Sequence, residues 1–287
     1  MRPTPRQFHQ LDVFSSERLK GNPLAVVHDA EGLDDATMLA FARWTNLSET
    51  TFLLSPSAEA AELADYRVRI YTPGGELPFA GHPTLGSCYA WLAAGGRPRE
   101  EGFVVQECGV GLVRIRRGDP GHPERLAFAA PPLRRTGPLA DDLVARLVQG
   151  LAIDPADVLA HQWVDNGPGW CALMLRSAAQ VLSVRLDPAL LGDVKLGLLG
   201  AQPSGHEALF EVRAFVPGLG VAEDPVTGSL NAGLAQWLIG AGLAPPRYLV
   251  AQGTALGRNG RVHVQQQDGV VWIGGDVAIC VAGHLSL

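Results

Sequence analysis

The 287-residue sequence has little cysteine and none of it in pairs. Cys88, Cys108, Cys171 and Cys280 lie far apart, with no CxxC motif. That excludes a dense disulfide framework and a thiolate zinc site, and leaves reduced, mostly packed thiols as the expectation. No two of the eight histidines fall within four residues of each other, so close-spaced histidine ligation is missing as well. There is no GxxxxGK[ST] phosphate loop and no GxSxG elbow, and Gly109-Val-Gly111 lacks the third glycine of the dinucleotide fingerprint. Charge is sparse: 18% of residues, 23 basic against 29 acidic, for a net charge of −6. A chain of that sign is not a general nucleic-acid binder, because phosphate contacts need a basic surface. Long hydrophobic runs are absent too. The longest uncharged stretches, 77–96 and 225–246, carry Gly, Pro, His, Asn and Gln, and fall short of the ~20 continuous apolar residues of a bilayer span. The start, MRPTPRQFHQLDVF, has no apolar h-region, so a cytoplasmic protein is expected.

What is present is enough for a sizeable core: 47% of residues are hydrophobic. The length is about twice that of the commonest domains, so two domains or one large one are the options. An internal repeat decides between them. Tyr66-Arg-Val-Arg-Ile-Tyr-Thr-Pro73 aligns with Phe210-Glu-Val-Arg-Ala-Phe-Val-Pro217 at an offset of 144. Trp91-Leu92 aligns with Trp237-Leu238, and Phe103-Val-Val-Gln106 with Leu249-Val-Ala-Gln252, both at 146. Asn22-Pro23 before a Leu-Ala-Val-Val run has a weaker counterpart in Gly167-Pro168. The economical reading is a duplicated α+β unit, with an N-terminal lobe over 1–130 and a C-terminal lobe over 131–287. The boundary falls in the Pro-rich stretch 130–138, and the C-terminal strand is free to return to the first lobe.

Short β-branched or aromatic runs predict strands at 10–14, 24–28, 51–54, 66–72, 103–107 and 112–116 in the first half, and at 162–164, 170–175, 210–215, 248–252, 261–265 and 270–274 in the second. An Asp-capped amphipathic helix is expected over 34–43. The segments 84–94 and 229–239 read as helices that are apolar all round, which are buried on all sides. In a strand-rich half the natural wrapper is a curved sheet, so each lobe is expected to be a strand-rich barrel around one central helix.

The starts of those two helices draw attention, because helix N-termini present unpaired N–H groups and a partial positive charge. His82 and Asp224 each stand immediately before a proline at such a start, with the hydroxyls of Thr84, Thr227 and Ser229 nearby. If the two starts converge, a carboxylate fits between them. Each residue also has a plainer reading: Asp224, Thr227 and Ser229 as helix caps, His82 as a satisfied core histidine. Glu49, where a helix gives way to an apolar strand, is either exposed at the turn or held at a cleft mouth with a raised pKa. The pattern alone favours exposure. With the other chemistries poorly supported, acid/base work without a cofactor or metal fits best.

In order, SET ending near residue 49, YTPGGELPFAGHPTLG at 71–86, EDPVTGS at 223–229 and QG at 252–253 resemble the motifs of the phenazine-biosynthesis PhzF family, within the diaminopimelate-epimerase-like superfamily. The resemblance covers most of the chain, from QLDVF and GNPLAVV onward. It implies two lobes with a central helix in each, a cofactor-independent isomerase of a small anionic carboxylate, and a homodimer. In the phenazine enzyme the substrate is trans-2,3-dihydro-3-hydroxyanthranilate. By the same resemblance the acid/base glutamate falls on Glu49, the cleft histidine on His82, the cleft aspartate on Asp224 and the serine near the substrate carboxylate on Ser229. The amides near Gly81 and Gly228 would hold that carboxylate. The superfamily's true epimerases use two cysteine bases; here those places read Gly81-His82 and Asp224-Pro225. A one-base isomerase is therefore expected. The alternatives are an epimerase or racemase using Glu49 and Asp224, and a non-catalytic small-molecule binder.

Overall fold

The computed structural model describes residues 5–119, 121–217 and 222–287. Its elements run β1 (Pro5–Val13), β2 (Asn22–Val27), α1 (Asp35–Thr45), β3 (Thr50–Leu54), β4 (Tyr66–Thr72), β5 (Gly75–Leu77), α2 (Gly81–Ala93), β6 (Phe103–Cys108), β7 (Gly111–Asp119) and β8 (His122–Ala129). They continue with α3 (Asp141–Leu151), β9 (Val158–Trp163), β10 (Trp170–Leu175), α4 (Ala178–Ser183), α5 (Pro188–Leu191), β11 (Lys195–Ala201), β12 (Phe210–Phe215), β13 (Glu223–Asp224), α6 (Gly228–Gly240), β14 (Arg247–Gln252), β15 (Gly260–Gln267), β16 (Val270–Gly275) and β17 (Val277–Ser286). The fold class is α+β, strand-rich with few helices, as the sequence predicts. The chain divides into two compact units, Met1–Ala129 with Gly274–Leu287, and Ala130–Ile273.

The two units repeat one topology. In the first, β1 is antiparallel to β2, β2 parallel to β3, β3 antiparallel to β4, β4 antiparallel to β5 and parallel to β6, and β6 antiparallel to β7. In the second, β9 to β15 follow the same succession of antiparallel, parallel, antiparallel, antiparallel, parallel and antiparallel pairings. The similarity seen in sequence is thus a similarity of hydrogen-bond pattern, down to the two-stranded hairpin that precedes each central helix. The first unit adds β17, antiparallel to β1 along its whole length.

Each central helix sits where its lack of a polar face requires. α2 packs against β1, β2, β3, β6, β8 and β17 of its own unit, and nine of its residues, from Gly81 to Ala90, are buried. α6 is equally apolar around its circumference, with Leu230, Leu234 and Leu238 buried. The sixth residue of each helix is glycine, and close approach explains both. A Cβ on Gly86 would lie 2.5 Å from Leu24 Cδ2, and one on Gly233 would lie 2.2 Å from the Val164 carbonyl oxygen. Outside the strands, α1 covers Val27, Phe52 and Tyr71 with Met38 and Ala42. In the second unit Leu147, Leu151 and Leu191 pack on Cys171, Leu173, Leu196 and Leu198.

Several boundaries differ from expectation. Both central helices begin earlier, at Gly81 rather than 84 and at Gly228 rather than 229. Pro83 does not delay the start, because first-turn amides have no intrahelical acceptor to lose. β11, whose sequence KLGLLGA has no β-branched residue, β8, which contains Pro123, and the outer helices α4 and α5 carry too weak a local signal to be read.

Candidate active site

The site residues of the first unit are gathered by three elements. Asn46 closes α1 in the left-handed conformation, φ 53°, and turns the chain into β3. Glu49 is the last residue of that turn. Its side chain is 16% exposed, so exposure at the turn, favoured by the pattern, gives way to a largely buried acid. β2 lies beside β3 and starts with Asn22, which is fully buried. α2 then delivers His82 as its second residue. His82 Nε2 lies 3.5 Å from Glu49 Oε2, and its Nδ1 is 3.3 Å from Asn22 Nδ2. With the Asn22 amide donating to Nδ1, the proton of the neutral ring resides on Nε2, facing the carboxylate. Burial pushes the His82 pKa down to about 3, so the ring is a neutral donor near neutral pH. α2 has no side-chain cap, its N-cap being Ala80.

The second unit repeats this framework with different side chains. Ser229 is the second residue of α6, and its Oγ accepts from Trp170 Nε1 at 3.0 Å, Trp170 being the first residue of β10 as Asn22 is of β2. Asn166 Nδ2 donates to the Ser229 carbonyl at 2.8 Å. The fourth residue of each helix meets a buried glutamine from the strand that follows it. Gln106 Nε2 donates to Thr84 Oγ1 at 3.2 Å, and Gln252 Oε1 accepts from Asn231 Nδ2 at 2.8 Å. Thr84 is fully buried, and its hydroxyl donates to the Ala80 carbonyl.

Asp224 is not the cap of α6. The N-cap is Thr227, without a side-chain cap bond, while Asp224 lies on β13, opposite Ala214. Its Oδ2 accepts from Thr227 Oγ1 at 2.5 Å. The hairpin that carries it is clamped by a bidentate pair: Arg213 Nε and Nη2 donate to Glu223 Oε1 and Oε2 at 3.0 and 2.7 Å. Arg213 Nη1 also donates to the carbonyls of Val181 and Val184. The first unit has the same clamp, Arg69 on Glu76 at 2.8 and 2.6 Å. It is more exposed there, and its hairpin carries Leu77 opposite Ile70, the register position that Asp224 takes opposite Ala214. Among the described residues no three His, Cys, Asp or Glu side chains are grouped to hold a metal ion, and no helix is long and apolar enough to cross a membrane.

The sequence matches the family described as phenazine biosynthesis-like protein over residues 11–283. The chain belongs to the PhzF family. It is an enzyme of the isomerase type, as its relatives are named. It is 32% identical to the trans-2,3-dihydro-3-hydroxyanthranilate isomerase of Pseudomonas aeruginosa, with 90% of this chain and 89% of that protein covered. It is 34% identical to antisense-enhancing sequence 1 of Schizosaccharomyces pombe, over 98% of each chain. The fold matches the crystal structure of a PhzF-family protein from Bacillus anthracis with a TM-score of 0.84, at 20% identity and covering 99% and 100% of the two chains.

In this PhzF-family chain, Trp170, Asn22 and Gln252 bond to candidate site residues or to the chain beside them. In the sequence Trp170 lies in a predicted strand, Asn22 in the weak repeat match and Gln252 in the QG motif, none of which assigns a task. The signal for Gln252 was present in the repeat, which places Gln106 and Gln252 in register.

Proposed function

We propose that this PhzF-family enzyme moves a proton within a small amino- or hydroxy-carboxylate, with Glu49 as the single acid/base. The observation that carries the reading is the Glu49–His82 pair. A carboxylate only 16% exposed stands 3.5 Å from a buried imidazole whose neutrality leaves Nε2–H as the donor. An acid so placed takes a proton from carbon and returns it to another carbon on the same face, while His82 steadies its charge. Asp224 orients an amino or hydroxyl group of the substrate. Ser229, with the first-turn amide of Gly228, takes the carboxylate at the start of α6, which has no side-chain cap, and the resemblance assigns Gly81 the same task at the likewise uncapped start of α2. Thr84 and Thr227, whose hydroxyls already donate within the chain, act by holding those helix starts.

The reading also includes a cytoplasmic homodimer that works without a cofactor, to be checked by cell fractionation, sedimentation, and activity after exhaustive chelation and dialysis.

The test is solvent deuterium incorporation into trans-2,3-dihydro-3-hydroxyanthranilate, the substrate named for the 32% identical relative, followed by NMR. The protein is expected to place deuterium on ring carbon, and Glu49→Gln to abolish it while affinity stays within about tenfold. Incorporation that survives in Glu49→Gln removes Glu49 from the role. Incorporation with inversion at a stereocentre instead identifies an epimerase using Glu49 and Asp224, and binding with no incorporation in either protein identifies a binder.

A further inference from the structure

Gln252 ends β14, is fully buried, and makes four hydrogen bonds whose directions are fixed by its partners. The Thr227 backbone N–H can only donate, and it meets Oε1 at 3.0 Å, which assigns the oxygen and the nitrogen of the amide. Asn231 Nδ2 donates to the same oxygen at 2.8 Å. The two hydrogens on Nε2 go to the Asp224 carbonyl at 3.2 Å and to Thr227 Oγ1 at 3.0 Å. A hydroxyl has a single proton. Thr227 Oγ1 accepts from Gln252 and donates that proton to Asp224 Oδ2, 2.5 Å away. A proton on that carboxylate oxygen would meet another proton.

We infer that Gln252, acting through Thr227, is a positioning residue that holds Asp224 as an ionised hydrogen-bond acceptor. Asp224 then anchors an N–H or O–H group of the substrate, or an ammonium, and does not supply a proton from Oδ2. This rests on the proposed place of Asp224 in the site. The neighbouring acid on the same strand, Glu223, is neutralised by Arg213, so its charge does not work against the ionised form.

The first unit supplies the contrast. Gln106 is equally buried and donates to Thr84 Oγ1 at 3.2 Å, but the Thr84 proton goes to the Ala80 carbonyl at 2.9 Å. There the bonds secure one helical turn and end on backbone. In the second unit the N-cap is Thr227 instead of Ala80, and the last bond ends on a carboxylate. The shared glutamine serves the fold in both units; the threonine turns it toward an acid in one.

The experiment is a carboxyl 13C titration of the full chain labelled at aspartate, with the Asp224 signal assigned by Asp224→Asn. Thr227→Val and Gln252→Met should each raise the Asp224 midpoint by about one to two pH units, the worth of a hydrogen bond to a charged group. Thr227→Ser, which keeps the hydroxyl, should restore the original midpoint. The Thr227→Val, Gln252→Met double variant should shift no further than Thr227→Val alone, because Gln252 works through the hydroxyl. Should Gln252→Met not fold, Gln252→Glu at a pH where it is ionised keeps the shape and removes the donor. An unmoved midpoint in a folded Gln252 variant, or full additivity in the double variant, overturns the relay. The catalytic reading fails separately: a relay confirmed by titration, with deuterium incorporation unaffected in Asp224→Asn, leaves the relay standing and removes Asp224 from the site.

Discussion

His82 Nε2 and Glu49 Oε2 stand 3.5 Å apart, and the neutral ring carries its proton on Nε2. Asn22 decides this from the other side, since its amide nitrogen lies against Nδ1. With burial pushing the ring pKa down to about 3, His82 should stay neutral and in the Nε2–H form from pH 8 to pH 5. Nitrogen-15 histidine spectra check this directly. Asn22→Ala removes the donor that fixes the tautomer, so both ring forms should appear and deuterium incorporation should fall by about tenfold or more. A single unchanged tautomer in that variant would remove Asn22 from its role.

The same unit holds a buried imidazole pair that the proposed chemistry does not use. His28 Nε2 and His9 Nδ1 are 3.0 Å apart. Burial, and then the charge His9 would carry, push the His28 pKa down to about 4, and burial lowers His9 too. In the unfolded chain both titrate near the ordinary value of about 6.5. The unfolded state therefore binds more protons below that pH, and stability falls as pH drops from about 6.5 toward about 4. For His28 alone the effect is on the order of 3 kcal/mol. Urea unfolding at pH 7 and pH 4.5 should show that His9→Asn, His28→Asn lowers the loss between the two pH values by about 2 kcal/mol.

Much of this was legible in the sequence, for identifiable reasons. The repeat survives because the strands that flank each central helix keep their alternation and their terminal prolines, as at Thr72-Pro73 and Val216-Pro217. Helices without a polar face announce their burial by composition alone, so the central position of α2 and α6 follows from sequence. Glu49 does not, because an acid at a turn is exposed or buried according to what distant elements bring beside it, here His82 from α2. The holding residues were hidden for the same reason. Gln252 is 21 residues from Asn231 and 25 from Thr227, and nothing local distinguishes it from a strand glutamine facing solvent.

The duplicated arginine clamps offer an internal comparison of burial. Arg213 and Glu223 have side chains 9% and 8% exposed, against 24% and 41% for Arg69 and Glu76. Removing one partner of a buried pair strands the other charge, so Arg213→Met should destabilise by about 3–5 kcal/mol. Arg69→Met, although it breaks the same bidentate geometry, should stay within about 1 kcal/mol. Adding Glu223→Gln to Arg213→Met should recover part of the loss. Chemical denaturation of the three variants measures the difference, and equal losses at Arg69 and Arg213 would contradict the role given to burial.

Gly86 and Gly233 occupy the same turn of their helices and fail differently when given a side chain. At Gly86 the first obstacles are Leu24 Cδ2 at 2.5 Å and Val13 Cγ2 at 2.9 Å, both methyl groups at the ends of side chains that can rotate. At Gly233 the obstacle is the Val164 carbonyl oxygen at 2.2 Å, which is backbone and cannot move without disturbing the end of β9 beside it. Gly86→Ala should therefore cost about 1–3 kcal/mol, the usual range for overpacking. Gly233→Ala should cost more than that, because α6 must shift away from the backbone that precedes β10. The shift would also displace Ser229 from Trp170 Nε1, now 3.0 Å from its Oγ, so Gly233→Ala should change the Trp170 fluorescence whereas Gly86→Ala should not. Thermal melts with emission spectra of both variants decide the matter, and a Gly233→Ala protein of unaltered stability would mean that the helix has room that the 2.2 Å approach denies.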